Sequence, residues 1–311
     1  MKVIGPFLEN SDYCIEETST GFQLRMNLEL AKLPFASHHI ILDQPVIPEV
    51  YLLEILLESV VSFSGSGGSW KITNVKPKRL IKLSDANPCG LRADFVKGDD
   101  SQWVVKVYID LFNVKGLVKR RGVYVFSCQF ELDCHPLIGP SQFKEPVGEI
   151  EWESNWSKKE VYSFTQHPYG PLMMTKTGKY KWFASEETIA AYSYLFPHWK
   201  EGVYIEGISK PKFILPLIEL DGAIQHVPFT SILWAGGGIP HNIESIRFIQ
   251  STPIDEQIVT LLQKNGDSWN LLIGYKESGL LLAEVRGMIL KQYSVDVDYN
   301  KMGELPRSLD D

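Results

Sequence analysis

The sequence predicts an α+β protein built from two similar units, each with one buried helix enclosed by a curved antiparallel sheet. Residues 49–63 have a helical pattern that is too densely apolar for a surface helix, so this helix must be covered on most sides. Strand-like runs separated by turn-rich segments follow it, as in an antiparallel meander. The same order of an apolar helix and several runs recurs in the C-terminal half, which indicates a repeated architecture.

The composition is typical of a globular protein with an acidic surface. In 311 residues, 44% hydrophobic and 12% aromatic side chains are enough to fill a sizeable core. The formal net charge of -7 argues against nucleic acid or an anionic membrane as the main partner, because both favour basic surfaces. No apolar run reaches the roughly 20 residues of a membrane helix, and the first residues do not resemble a secretory signal. We therefore expect a cytoplasmic protein.

The four cysteines do not suggest a disulfide framework or a metal centre. Cys14, Cys89, Cys128 and Cys134 form no CxxC pair, so reduced thiols are the expected state. Cys128, Cys134 and His135 lie close enough in sequence to raise the alternative of a metal site. However, Cys128 falls within an alternating strand pattern, and a structural zinc site needs four ligands. We expect no metal.

The first half of the chain contains one predicted helix and several strands. Residues 22–30 alternate apolar and polar side chains, which predicts a half-buried strand. In the helix over residues 49–63, Glu54 and Glu58 form a thin polar stripe at i,i+4 spacing. Four further strands are predicted at 70–83, 91–96, 103–112 and 123–132.

The second half follows a segment rich in proline and glycine over residues 136–159, which predicts a linker or boundary. The predicted elements of this half are strands at 180–183 and 202–208, a short apolar helix at 220–229, a glycine-rich turn at 234–239, and strands at 243–250, 257–263, 269–275 and 280–293. We therefore divide the chain into an N-terminal unit at 1–150, a C-terminal unit at 151–299, and a polar tail or linker at 300–311.

His39 lies between a predicted strand and the first apolar helix, just ahead of a turn that contains proline. A histidine held rigidly beside buried surface is suited to act as a general base. A histidine at such a junction is also commonly a hydrogen-bonded structural group, and His38 beside it has less to recommend it as a base. The local pattern leaves both interpretations of His39 open.

Asp221 lies at the start of the second predicted helix, with Gln225 four residues on and therefore on the same helical face. One interpretation is an N-terminal cap, since an acid there stabilises the helix in its charged form. The other is a general acid whose pKa is raised by apolar neighbours and whose orientation is held by Gln225. If the two units pack pseudo-symmetrically, the helices face one another and His39 meets Asp221. A base and an acid in one apolar cleft suit proton abstraction and protonation of a leaving group.

Three motifs occur in one order along the chain: His39-x-x-x-Asp43-x-x-x-x-Pro48, Tyr169-Gly170-Pro171 and Asp221-x-x-x-Gln225. Together they resemble the three signatures of the dehydratase domain of modular polyketide synthases, which has a double hotdog fold. The resemblance covers most of the chain, from about residue 15 to residue 291.

The resemblance implies a hydro-lyase that removes water from a 3-hydroxyacyl thioester on an acyl carrier protein and leaves an enoyl thioester. His39 would remove the α-proton and Asp221 would protonate the departing hydroxyl, while N–H groups at the start of the first buried helix stabilise the enolate-like oxygen. Gln225 would orient Asp221, and Tyr169 would contact the substrate hydroxyl, although an ordinary core tyrosine remains the alternative there.

The resemblance also implies the remaining contacts of the site and its partners. Pro48, Gly170 and Pro171 would shape the substrate site. No metal or organic cofactor is implied, because the substrate is carried on the phosphopantetheine arm of the carrier. The implied partners are an acyl carrier protein, other polyketide synthase domains and a second copy in a homodimer. Basic clusters at residues 76–82 and 119–121 offer a surface for an acidic carrier, or simply solvated strand charges.

The chain departs from the family pattern at four places. Asp43 replaces the glycine of the first motif, and Glu49 stands where a glycine usually follows its proline. Leu172-Met173 replaces the usual x-Phe of the second motif, and Pro216 stands where many members have a histidine ahead of the acidic helix. These departures keep two alternatives open on the same fold: a double-bond isomerase, or a cyclase that adds an internal hydroxyl to the enoyl product. A third alternative is a non-catalytic double hotdog that binds a carrier protein.

Overall fold

In the computed structural model, the described residues are 5–41, 44–84, 88–98, 102–112, 117–133, 137, 152–156, 176–184, 189–195, 212–235, 239–249 and 258–291. They form a mainly antiparallel β-structure with few helices. The strands are β1 Tyr13–Thr18, β2 Gly21–Leu28, β3 Ile40–Ile41, β4 Gln44–Pro45, β5 Trp70–Pro77, β6 Cys89–Lys97, β7 Trp103–Phe112, β8 Val118–Leu132, β9 Trp152–Trp156, β10 Lys176–Ala184, β11 Ile189–Leu195, β12 Ile239–Phe248, β13 Ile258–Asn265, β14 Ser268–Tyr275 and β15 Leu281–Lys291. The helices are α1 Pro6–Glu9, α2 Pro34–Ser37, α3 Glu49–Ser64 and α4 Leu217–Ala235, with a 3-10 turn at Leu30–Lys32.

Thirteen of the strands form one continuous antiparallel sheet, and its order contains an internal repeat. The order is β1-β2-β6-β7-β8-β5 followed by β12-β15-β14-β13-β11-β10-β9. If the second series is read backwards from β10, each strand has a counterpart in the first: β10 and β11 match β1 and β2, and β12 to β15 match β5 to β8. The two series join where β5 pairs with β12, with Ile246 opposite Ile72. The repeated order of helix and meander is thus present in the strand topology.

The helix α3 is the centre of the N-terminal half. Pro48 precedes it with extended backbone angles of φ -63° and ψ 146°, which suits proline just ahead of a helix. The helix ends where Gly65 adopts φ 67° and donates its N–H to the Val61 carbonyl, a conformation that glycine adopts without strain. Most side chains of α3 are buried, including Leu53, and the helix packs against α4. The prediction of a helix covered on most sides is confirmed.

The helix α4 is longer than the short helix predicted at residues 220–229. It begins immediately after Pro216, with the Leu220 N–H donating to the Pro216 carbonyl over 2.8 Å, and it continues to Ala235. Pro228 explains part of the underestimate, because proline in a helix interior removes a hydrogen bond and usually predicts a helix end. Asp221 is consequently the fifth residue of the helix. The interpretation of Asp221 as an N-terminal cap is wrong.

Most of the remaining strands lie where alternation predicted them, with shifted ends. The strand predicted at 103–112 is confirmed as Trp103–Phe112, whereas the run predicted at 70–83 ends as a strand at Pro77. The strands β1 and β11 were not predicted. The strand β9 lies inside the segment predicted as a linker, where it pairs with β10. The predicted strand at 202–208 and the tail at 300–311 lie outside the described residues.

None of the helices in the described part of the chain combines the length and the hydropathy needed to cross a bilayer.

Candidate active site

His39 lies at the base of a very short hairpin that leads into α3. The strands β3 and β4 pair Ile40 with Pro45, so His39 and Val46 face each other at the open end of the hairpin. The Val46 N–H donates to the His39 carbonyl over 3.0 Å. The His39 side chain is 9% exposed. The prediction of an imidazole held beside buried surface at the entry to the first helix is confirmed.

The hairpin is fixed to the rest of the sheet through the segment that follows β5. The Leu83 N–H donates to the Pro45 carbonyl over 2.9 Å, and the Ile47 N–H donates to the Ile81 carbonyl over 3.0 Å. Backbone hydrogen bonds therefore hold the chain on both sides of Val46. This leaves little freedom for the backbone that carries His39.

A hydrogen bond between the imidazole and the backbone determines which ring nitrogen is basic. His39 Nδ1 lies 2.8 Å from the Val46 carbonyl oxygen. A carbonyl oxygen can only accept a hydrogen bond, so we assign the ring hydrogen to Nδ1. In the neutral ring Nε2 is then the nitrogen that can take up a proton. Val46 thus fixes one tautomer and one orientation of the imidazole.

Asp221 and Gln225 form a buried pair on α4. Gln225 Nε2 donates to Asp221 Oδ2 over 2.7 Å, as the i,i+4 spacing predicted. Asp221 is 6% exposed and Gln225 is 9% exposed. The acid in the first turn of α4 is Glu219, and burial raises the pKa of Glu219 to about 6. The helix therefore carries two buried carboxyl groups, Glu219 and Asp221. The Gln225 amide donates to Asp221.

Glu54 joins the central helix of the first half to the start of α4. Its two carboxylate oxygens accept the N–H groups of Ile214 and Leu215 over 2.6 Å and 2.8 Å. These residues come immediately before Pro216 and α4. The predicted polar stripe is present but buried, and Glu54 makes a contact across 160 residues of sequence.

Glu58 makes the equivalent contact one turn later on α3. Its carboxylate accepts the N–H groups of Phe7 and Leu8, at the start of α1, over 3.2 Å and 2.9 Å. Burial raises the pKa of both glutamates, and the neighbouring Glu54 charge raises that of Glu58 further, while the N–H donors act in the opposite direction. Two buried carboxyl groups on one helix thus fix two other helices. Their i,i+4 spacing in an apolar helix was the only signal available in the sequence.

The structure places part of the predicted site and leaves the rest outside its described residues. It brings Gln225 to Asp221 and Val46 to His39, and it packs α3, which follows His39, against α4, which carries Asp221. Pro48 is buried and immediately precedes α3. Asp43, Tyr169, Gly170 and Pro171 lie outside the described residues.

The described cysteines are free thiols, and Cys89 and Cys128 are buried. Burial raises the pKa of the Cys128 thiol, which disfavours the thiolate that binds metals. Cys134 and His135 lie outside the described residues. Within the described ranges, no group of three metal-binding side chains comes together.

Comparison by sequence finds no match to a protein-family model and none to a curated protein.

Comparison by structure does find similar proteins. The dehydratase domain from the CurK module of curacin polyketide synthase matches with a TM-score of 0.68 at 12% identity, covering 93% of this chain and 99% of that domain. The dehydratase domain from the CurF module matches with a TM-score of 0.67 at 12% identity, covering 90% and 97%. An N-terminal dehydratase from the difficidin assembly line matches with a TM-score of 0.64 at 14% identity, covering 90% and 96%.

Two further matched structures are inactive variants of the CurK dehydratase, one with asparagine in place of an aspartate and one with phenylalanine in place of a histidine. At such low identities the similarity concerns the fold. It extends over about nine tenths of the chain and nearly all of each matched domain. The chain therefore has the fold of the dehydratase domains of polyketide synthases.

Proposed function

We propose that this protein removes water from a 3-hydroxyacyl thioester carried on an acyl carrier protein, with His39 as the base and Asp221 as the acid. The observation that carries the proposal is the hydrogen bond from His39 Nδ1 to the Val46 carbonyl, which leaves Nε2 as the basic nitrogen. The fold adds support, because the matched structures are dehydratase domains. One inactive CurK variant lacks an aspartate and the other lacks a histidine, and these are the residue types of Asp221 and His39.

The proposed architecture is a double hotdog, with units at 1–150 and 151–299 that pack as a pseudo-dimer. The repeated strand order supports it, as does the pairing of the equivalent strands β5 and β12 at the join. Each central helix follows a proline, Pro48 or Pro216. If α3 and α4 are aligned on these prolines, Asp221 corresponds to Leu53. The acid thus belongs to the second unit, the histidine belongs to the first, and a complete site needs both.

The proposed reaction begins when His39 Nε2 removes the proton from the carbon next to the thioester carbonyl. The electron pair moves onto the carbonyl oxygen, where N–H groups at the start of α3 stabilise the negative charge. When the carbonyl re-forms, the bond from the β-carbon to its hydroxyl breaks, and Asp221 supplies the proton that lets this hydroxyl leave as water. The proton on His39 then returns to Asp221 through solvent.

The environment of Asp221 suits an acid in this reaction. Asp221 is buried on α4, where a side chain can meet a substrate away from bulk solvent. Gln225 fixes the orientation of the carboxyl. The proposed partner is an acyl carrier protein, whose phosphopantetheine arm delivers the substrate, and other polyketide synthase domains would surround it. Tyr169, Gly170 and Pro171 would complete the substrate site.

A mass measurement tests the proposed function. Purified protein incubated with a 3-hydroxyacyl thioester of pantetheine is expected to give an enoyl thioester that is lighter by one water. The enoyl thioester supplied as substrate should gain water in the reverse direction. A shift of its double bond, or ring closure on a longer hydroxylated chain, leaves the mass unchanged and is detected by NMR; either product would replace the dehydratase with an isomerase or a cyclase. No conversion of either substrate would favour a non-catalytic carrier-binding protein.

A further inference from the structure

A cavity of about 390 Å³ lies beside the first turn of α3, at the join between the two halves. Its apolar wall includes Leu52 on α3, Phe126 on β8 and Ile239 on β12. It is large enough for a small ligand or part of a chain. Glu49, the first residue of α3, also lines it.

Within the part of the chain that the structure describes, the Glu49 carboxyl has an unpaired oxygen, which is unusual for a buried polar group beside a mainly apolar wall. Its Oε2 atom is buried, and it has no hydrogen-bond partner among the described residues. Buried polar atoms in proteins nearly always have a partner, so an unpaired carboxyl oxygen on a residue that lines a cavity calls for an explanation, and a ligand in the cavity is one. Glu49 follows Pro48 directly, at a position where the dehydratase signature that the sequence resembles usually has a glycine.

The charge state of Glu49 determines what it can bind. Burial raises the pKa of Glu49 to about 8, although the start of a helix ordinarily favours a charged acid. At neutral pH the carboxyl is therefore mostly protonated and able to donate a hydrogen bond. A neutral group is also compatible with the reaction proposed above, because a carboxylate there would repel the charge that develops at the start of α3.

We propose that Glu49 is a specificity-determining residue, whose carboxyl donates a hydrogen bond to a carbonyl or hydroxyl oxygen on the acyl chain of the substrate. This inference rests on the proposed function for the identity of the substrate. The apolar wall suits the aliphatic part of an acyl chain, and Glu49 supplies a polar contact that a glycine lacks. Chains that carry an oxygen at the right distance would be bound in preference to fully reduced chains.

Other charged groups face the same cavity and must be separated from Glu49 in any test. They are Lys78 and Arg79 after β5, His241 on β12 and Lys291 on β15. Glu49→Gln keeps all four and replaces the carboxyl with an amide that donates a hydrogen bond at every pH. Any difference in pH dependence between the wild type and Glu49→Gln therefore comes from Glu49.

The test is the dissociation constant of a 3-hydroxyacyl pantetheine amide whose acyl chain carries one further keto or hydroxyl group. This non-cleavable analogue of the thioester is measured by calorimetry between pH 7 and 9. Deprotonation of a group with a pKa near 8 should weaken wild-type binding about tenfold over this range. Glu49→Gln should bind with nearly constant affinity, and Glu49→Leu should bind weakly throughout. Glu244→Gln makes the same chemical change at an exposed position on β12 and should follow the wild type.

A wild-type affinity that does not change with pH, or a Glu49→Gln profile identical to that of the wild type, would overturn the role of Glu49. The measurement needs no turnover, so its outcome can be separated from the outcome of the activity assay. An affinity that does not change with pH, in a protein that still removes water from the thioester, would refute the inference about Glu49 and leave the proposed function standing. Binding that weakens with pH in a protein that converts no thioester would refute the dehydratase alone.

Discussion

Replacing His39 with alanine is expected to lower kcat/KM for loss of water from a 3-hydroxyacyl thioester by at least about 100-fold, because general base catalysis contributes factors of that order. Asp221→Asn should cause a loss of similar size. Asparagine keeps the shape of the side chain and an oxygen that can accept from Gln225 Nε2, but it has no proton to give to the leaving hydroxyl. The rates are measured from the amount of enoyl product that mass spectrometry detects over time.

His38→Ala is the matched control for His39. His38 is the adjacent histidine, and burial lowers the pKa of its imidazole. Its backbone N–H bonds to the Phe35 carbonyl at the end of α2, and alanine preserves that bond. The control variant should keep nearly all activity. If His39→Ala were as active as His38→Ala, His39 would have no role as the base, and full activity in Asp221→Asn would likewise exclude the proposed acid.

Replacing Glu54 with alanine is expected to destabilise the folded protein strongly. The Ile214 and Leu215 N–H groups would remain buried without an acceptor, and each orphaned donor costs about 1–3 kcal/mol. Allowing for relaxation, the free energy of unfolding should fall by about 2–4 kcal/mol in a denaturant titration. An unchanged unfolding midpoint would show that the contact does not hold α4.

Glu58→Ala is the matched control for Glu54→Ala. It removes an equally buried carboxyl from the same helix, but the N–H groups that it leaves behind belong to Phe7 and Leu8 in α1. Both variants should be less stable than the wild type. Only Glu54→Ala should also reduce the kcat of the folded protein, because only Glu54 holds the segment that leads to Asp221. Equal effects on kcat would contradict this division.

The pH dependence of stability follows from the same buried carboxyl. The pKa of Glu54 is raised from 4.5 to about 8 by burial, so the folded protein holds a proton that the unfolded chain releases. This contribution to stability is fully present below about pH 4.5 and is lost as the pH rises through about 8. The unfolding midpoint of the wild type should therefore decrease across this interval, and Glu54→Gln should reduce the slope.

Local patterns predicted most of the sheet because alternation depends only on neighbouring residues. The strand at residues 103–112 illustrates this, since its alternating burial is written directly in the sequence. The strand β11 was missed because Ile189-Ala-Ala-Tyr-Ser-Tyr-Leu195 contains small residues and little alternation. The full length of α4 was hidden by Pro228, because proline usually predicts the end of a helix, whereas α4 continues past it to Ala235.

The site was predictable where its contacts are short in sequence. The spacing of Asp221 and Gln225 predicted a contact that the structure contains. The partners of Glu54 could not be predicted, because they lie 160 and 161 residues away and depend on how the two halves pack. The same holds for Glu49, whose cavity combines residues of α3, β8, β12 and β15. Such contacts become visible only when the tertiary structure is known.

The most direct test of a site shared between the two halves is the kcat/KM of the double variant His39→Ala, Asp221→Asn, compared with each single variant. A base and an acid that act in turn on one bound substrate are both needed for each turnover, so removing either one takes away most of the effect of the other. The double variant should therefore lie within about threefold of the less active single variant. Losses that multiply would contradict a single site formed by His39 and Asp221.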